Sequence, residues 1–176
     1  MKNESVIIAI DIGNTSIHLG LFKGSRLISQ IRIPTQVSRL KLKEKLAQLA
    51  LSISRRQFKV SNIVICSVVP HLNGFLAELF RATFGVKVLV SGKDFVVPIK
   101  NLYRNPKSVG QDRLVNAFAG LAIYGKPLAI IDVGTAITFD IVSSKGEYLG
   151  GIIAPGLNLS LNALSKGTAL LPKLQL

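Results

Sequence analysis

One stretch of sequence pattern occurs twice. Residues 5–10 are an apolar, β-branched run that leads into Asp11-Ile12-Gly13-Asn14-Thr15. Ile17 to Phe22 then alternate, Lys23-Gly24-Ser25 supplies a turn, and residues 26–33 read as a third strand. From Leu128 the same order begins again. Leu128-Ala129-Ile130-Ile131 leads into Asp132-Val133-Gly134-Thr135, followed by a strand from Ile137 to Ser143, a turn at Ser144-Lys145-Gly146 and a strand from Tyr148 to Ile153. An internal repeat of element order restricts the fold more than any compositional figure. It predicts two related α/β halves facing each other, each opening on strand–turn–strand.

The intervening residues fill in the first half. Leu42, Leu46, Leu49 and Ile53 recur at helical spacing and place a helix over 36–53. Residues 60–69 read as a strand ended by Pro70. Leu72, Phe75, Leu76 and Leu79 mark a second helix, residues 86–90 a short strand, and residues 111–124 a third helix. The halves are expected at 1–125 and 126–176. The second copy has three strands and one helix over 157–166, without the later elements of the first. It is therefore expected to be incomplete, with its C-terminal part lost.

Composition narrows the class. The chain has 176 residues, 48% of them apolar, and a net charge of +13. Such a chain is globular, with material for a core, and its charge favours anionic partners. A single cysteine, Cys66, allows no intrachain disulfide and is expected to be a buried small hydrophobe. The opening apolar run is cut short by Asp11, and no apolar run approaches the roughly 20 residues needed to span a bilayer. The expectation is a soluble, cytoplasmic protein without a membrane partner.

The chemistry concentrates in the two repeated turns and in one helix start. Gly13 permits a tight bend and keeps a side chain away from an approaching phosphate. Backbone amides and the Thr15 hydroxyl can then bond phosphate oxygens, while Asp11 holds a hydrated magnesium ion that does so. Asp132-Val133-Gly134-Thr135 supplies a second such loop, so that one polyphosphate is clamped from two sides. The alternative for each loop is an ordinary hairpin turn. No P-loop or dinucleotide-binding glycine motif is present. Gly110-Gln111-Asp112-Arg113 opens the helix before the second repeat. Asp112 is placed to accept a proton from an attacking hydroxyl, and Arg113 to hold an acceptor's carboxylate or the transferring charge. The alternative is that both are helix-start charges. The basic stretch Arg39, Lys41, Lys43, Lys45, with Arg55, Arg56 and Lys59, reads as the solvated face of a helix, with too few aromatics for single-strand stacking. No nucleic-acid partner is expected.

Taken together, the motifs resemble the type III pantothenate kinases of the actin-like ATPase superfamily. They are Asp11-Ile-Gly-Asn-Thr15, Ser67-Val-Val-Pro70, Tyr103-x-Asn105-Pro106, Gly110-x-Asp112-Arg113, Asp132-Val-Gly-Thr-Ala136-x-Thr138, Gly150-Gly-x-Ile-x-Pro155-Gly156 and Thr168-Ala-Leu-Leu171-Pro172. The resemblance implies duplicated ribonuclease H-like halves with mixed sheets and phosphorylation of pantothenate by ATP. By resemblance, Asp11, Ile12, Gly13, Asn14, Thr15, Ser16, Ile17, His18 and Thr135 contact ATP. Tyr103, Gly110, Gln111, Asp112 and Arg113 hold pantothenate, and Asp112 takes the proton. Asp132 holds a monovalent cation, potassium or ammonium, magnesium accompanies ATP through Asp11, and the enzyme is a homodimer. Two other functions compete. One is a non-catalytic or regulatory relative, like the Bvg accessory factor. The other is a nuclease of the related ribonuclease H fold, for which nine acidic residues are few.

Overall fold

The computed structural model describes residues 4–168 and Pro172; residues 169–171 of the last family-like segment lie outside the described residues. The chain forms two compact units, Met1–Val97 and Pro98–Leu176. The helix over 111–124 packs on strands of the second unit.

In the first unit, β1 (Glu4–Ile12), β2 (Ser16–Lys23) and β3 (Arg26–Pro34) form an antiparallel meander. β4 (Phe58–Ser67) then returns parallel to β1, and β5 (Val88–Val90) parallel to β4, giving the sheet order β3-β2-β1-β4-β5. Helices α1 (Arg39–Arg55) and α2 (Pro70–Phe84) touch each other and both touch β4, covering one face. The hydroxyl of Ser38 caps α1 by accepting the Lys41 amide, and Pro70 opens α2, where a missing N–H costs nothing. Gly85, in the left-handed conformation, closes α2.

The core is built where the periodicities meet. Val6, Ile8, Ile10 and Ile12 of β1 face Leu42, Leu46, Leu49 and Ile53 of α1 and Leu76 and Phe80 of α2 within one buried cluster. Alternation along residues 5–10 leaves Ile7 39% exposed. Three expectations are corrected. Asp11 lies within β1 and not in the turn, since the strand continues through Ile12, whose carbonyl accepts the Val68 amide. Strand β4 stops at Ser67, whose hydroxyl takes the Val69 amide just before Pro70. Cys66 is half-buried.

The second unit repeats the meander. β6 (Leu128–Val133), β7 (Ala136–Val142) and β8 (Tyr148–Pro155) are antiparallel in that order. Helix α3 (Gln111–Tyr124) lies on β6 and β7, and α4 (Leu157–Gly167) follows β8. Gly120 lets α3 approach closely, since a Cβ there would stand 2.8 Å from Leu128 Cδ1. Among the described residues β6 pairs only with β7, whereas β1 is paired on both sides.

Leu46 is 1% exposed at the centre of the first core. Leu46→Ala is expected to cost about 2–5 kcal/mol through lost burial and the residual cavity. A shift in the urea midpoint without a change of slope would register this.

Candidate active site

Each unit carries one of the repeated turns. In the first, Ile12 pairs with Ile17 and the Gly13 amide donates to the Ser16 carbonyl at 3.0 Å, so Asn14 and Thr15 form the tip. Thr35, just beyond β3, braces this loop: its hydroxyl donates to the Gly13 carbonyl at 2.6 Å and its amide to the Thr15 carbonyl at 2.9 Å. Asp11 sits opposite His18 on neighbouring strands, both exposed, and the His18 ring is bonded to the Ser16 hydroxyl at 2.8 Å. Ile12 and Ile17 are buried. Their side chains belong to the core, and within the 11–18 stretch the polar surface comes from the other residues.

The second turn is one residue shorter. Val133 pairs with Ile137 and the Gly134 amide donates to the Ala136 carbonyl at 2.9 Å, leaving Thr135 alone at the tip. Thr138 stands opposite Asp132, as His18 stands opposite Asp11. The Gly156 amide donates to the Thr135 carbonyl at 3.0 Å, and a Cβ on Gly156 would fall 2.2 Å from the Gly134 carbonyl oxygen. The first residue of α4 follows directly, so a helix N-terminus begins beside this loop. Orphan amides there favour anions.

The second unit also gathers the residues expected to handle an acceptor. Gly110 caps α3 and Gln111, Asp112 and Arg113 form its first turn. Asp112 Oδ1 accepts the Arg113 amide at 2.9 Å. One helical turn on, Asn116 donates to Asp132 Oδ2 at 3.2 Å, tying α3 to the end of β6. Burial pushes the Asp112 carboxyl above its ordinary 3.8. The Arg113 amide bond and guanidinium pull the other way, and the Asp132 charge adds to the rise.

Arg113 turns inward. Its Nε donates to Asp140 Oδ1 at 2.9 Å, its Nη2 approaches the same oxygen at 2.6 Å, and Nη2 also reaches the Phe139 carbonyl at 3.4 Å. The Tyr148 hydroxyl donates to Asp140 Oδ1 at 2.5 Å. Burial and the adjacent Asp140 carboxylate both hold that hydroxyl protonated. Tyr103 arrives by a route that sequence periodicity did not show. The Leu102 amide donates to the Tyr148 carbonyl and the Tyr148 amide to the Lys100 carbonyl, so residues 100–102 run beside the start of β8. The Tyr103 ring then rests on Gly150, where a Cβ would stand 2.6 Å from Cδ2.

The expected sites therefore fall into two groups. Asp11, Gly13, Asn14, Thr15, Ser16 and His18 cluster at the first loop, and Tyr103, Gly110 to Arg113, Asp132 and Thr135 belong to the second unit. Sequence reasoning missed Thr35, Asn116, Asp140 and Tyr148. The only sequence signal for the last two was the paired glycines Gly150-Gly151, which mark a close approach.

A family model described as "Type III pantothenate kinase" matches residues 7–176. A protein of that description from Persephonella marina is 42% identical over 174 residues, covering 97% of this chain and 68% of the relative. One from Finegoldia magna is 39% identical over 175 residues, covering 98% and 67%. The chain thus spans about two thirds of the length of the curated relatives it matches. Among solved structures, an Aquifex aeolicus Ppx/GppA phosphatase has a TM-score of 0.56 at 12% identity, covering 95% of this chain and 56% of that one. The ethanolamine utilization protein EutJ from Carboxydothermus hydrogenoformans has a TM-score of 0.50 at 14% identity, covering 91% and 56%. These likenesses carry the fold, which is the actin-like ATPase architecture that the motif resemblance implies.

The Asp112 environment is testable by NMR titration of its side-chain carboxyl. The midpoint is expected above 3.8, lower in Asp132→Asn and higher in Arg113→Gln. Since the folded state holds this proton more tightly than the unfolded chain, ionising Asp112 costs stability. That cost is absent below the unfolded midpoint and complete above the folded one.

Proposed function

The chain belongs to the type III pantothenate kinase family, ATP-dependent enzymes that phosphorylate pantothenate in the first step of coenzyme A biosynthesis, and from that premise we propose the parts its residues take. Asp112 accepts the proton of pantothenate's primary hydroxyl as the oxygen attacks the γ-phosphorus of ATP. The bond from that phosphorus to the β–γ bridging oxygen breaks, ADP departs, and the phosphorylated product carries the phosphoryl group. The observation that carries this reading is the partly buried Asp112 beside Arg113 on the first turn of α3. A carboxylate with a raised pKa is a better base than an exposed one, and the loose transition state asks chiefly for positioning.

Tyr103, Gly110, Gln111 and Arg113 hold pantothenate. Residues 11–18 and Thr135 serve ATP through loop amides and hydroxyls. Asp11 is exposed at a strand end beside the Gly13 loop, where its carboxylate would hold a magnesium ion that offsets phosphate charge. Asp132 is an exposed carboxylate with one oxygen held by Asn116, which suits a singly charged cation. Among the described residues no group of three or more His, Cys, Asp or Glu is arranged to hold a metal. Any ion would thus lean on substrate oxygens and water. When bound, the cations offset phosphate charge.

A homodimer and a cytoplasmic location belong to the same proposal. No helix among the described residues is long and apolar enough to cross a membrane. The units of duplication are taken as 1–125 and 126–176.

Asp112→Asn keeps shape and bonding capacity but removes the proton acceptor. Turnover, followed as pantothenate-dependent ADP release, is expected to fall roughly 10²–10⁴-fold with ATP binding little changed. Asp11→Asn is expected to weaken magnesium–ATP binding as well. Near-normal turnover in Asp112→Asn would leave Asp112 as a helix-start charge only.

A further inference from the structure

Asp140 was not among the expected site residues, yet it is the one fully buried carboxylate among the described residues. Its Oδ1 gathers the Tyr148 hydroxyl and both Nε and Nη2 of Arg113, while Oδ2 is buried with no hydrogen-bond partner among the described residues. Tyr148 is itself fully buried. It is fixed at both backbone groups by residues 100 and 102, and by a bulge at Leu149 that changes the β7–β8 register. Gly151 leaves the space that the guanidinium needs: a Cβ there would stand 2.7 Å from Arg113 Nη2 and 1.7 Å from the Phe139 carbonyl oxygen.

A free arginine samples many rotamers and loses that freedom on binding a ligand. Here the side chain is only 12% exposed and is held along its Nε–Nη2 edge, with Nη1 outside these bonds. We propose that Asp140 and Tyr148 are positioning residues that set the Arg113 guanidinium for the carboxylate of the acceptor substrate. The proposal rests on the substrate role given to Arg113 above. The gain is preorganisation, because the entropy of ordering the arginine is lost on folding and not on binding. Neither Asp140 nor Tyr148 touches substrate.

The test uses steady-state kinetics and melting temperature for Asp140→Asn, Tyr148→Phe, Arg113→Gln and the double variant Arg113→Gln/Asp140→Asn. Asp140→Asn is expected to raise the KM for pantothenate about tenfold or more while the KM for ATP stays within about twofold. Tyr148→Phe should raise the pantothenate KM a few-fold. In the Arg113→Gln background, Asp140→Asn should add little further, because the two act through one guanidinium. Additive effects would overturn the proposal. So would a lowered melting temperature in Asp140→Asn with pantothenate KM unchanged, provided Arg113→Gln raises that KM. If Arg113→Gln itself leaves pantothenate KM unchanged, the substrate role of Arg113 fails and this inference falls with it. Should Asp140→Asn fail to fold, Tyr148→Phe decides alone: it removes one hydroxyl, and an unchanged pantothenate KM would overturn the proposal.

Discussion

A carboxylate with no exposed surface must be paired, and in this chain that carboxylate is Asp140. Taking its charge out of water costs several kcal/mol, and removing one partner of such a pair typically costs about 3–5 kcal/mol. The partners it requires come from two other elements: Arg113 from α3, 27 residues earlier, and Tyr148 from β8, eight residues later. Satisfying one oxygen atom therefore ties α3 to β7 and β7 to β8. Once α3 is held there, Asp112 has its place, since it is the neighbouring residue on the first turn. Once Tyr148 is held, residues 100–102 align beside it and Tyr103 comes to rest on Gly150. Arg113, Tyr148 and the residues beside them are thus organised around a carboxylate buried from solvent.

The duplication sets out two similar loops. Both repeats turn on a glycine whose amide bonds across the loop, and both set an aspartate at the last turn of a strand with a polar residue opposite it. They are not copies in detail. The first loop has two residues at its tip and is braced from outside by Thr35, whereas the second has Thr135 alone and is braced by the backbone of Gly156. A longer loop with two outside hydrogen bonds presents more amides, and a shorter one pressed against a helix start adds the favourable end of a helix dipole. The two loops thus differ in geometry while sharing a glycine amide that bonds across the turn.

Much of this was legible in sequence for identifiable reasons. Leu42, Leu46, Leu49 and Ile53 lie on one helical stripe, and all four are buried. The third helix has the limits that Gly110 and Gly125 suggest, since glycines there end the regular pattern on both sides. The Asp-x-Gly turns were visible because a tight bend after an apolar strand restricts residue choice. Asp140 was hidden because in Phe139-Asp140-Ile141 it looks like the polar member of an alternating strand facing water. Which face of β7 is covered is decided by α3, and that is a tertiary fact. Tyr148 was hidden for a related reason: the bulge at Leu149 changes the register of the strand, and only the positive φ of Gly150 betrays it. Thr35 acts through two hydrogen bonds to distant backbone and Asn116 through one to a distant side chain, and such bonds leave no periodic trace.

The burial of Asp140 also bears on the acidity of its neighbour in the helix. An arginine beside an aspartate ordinarily lowers the pKa of the acid by stabilising its charged form. Arg113 does pull Asp112 in that direction, yet the net displacement is upward. Two features of the geometry account for this. Asp112 is partly withdrawn from water, which penalises its charged form, and the Asp132 charge opposes ionisation further. The guanidinium is meanwhile directed into the sheet, where the Asp140 carboxylate compensates its charge. Had Arg113 turned along the helix surface to bond the Asp112 carboxylate, the same two residues would form an ordinary ion pair and a weak base. The buried pair thus separates the roles of two adjacent residues: the arginine can offer a directed cationic edge while the aspartate beside it keeps its affinity for a proton.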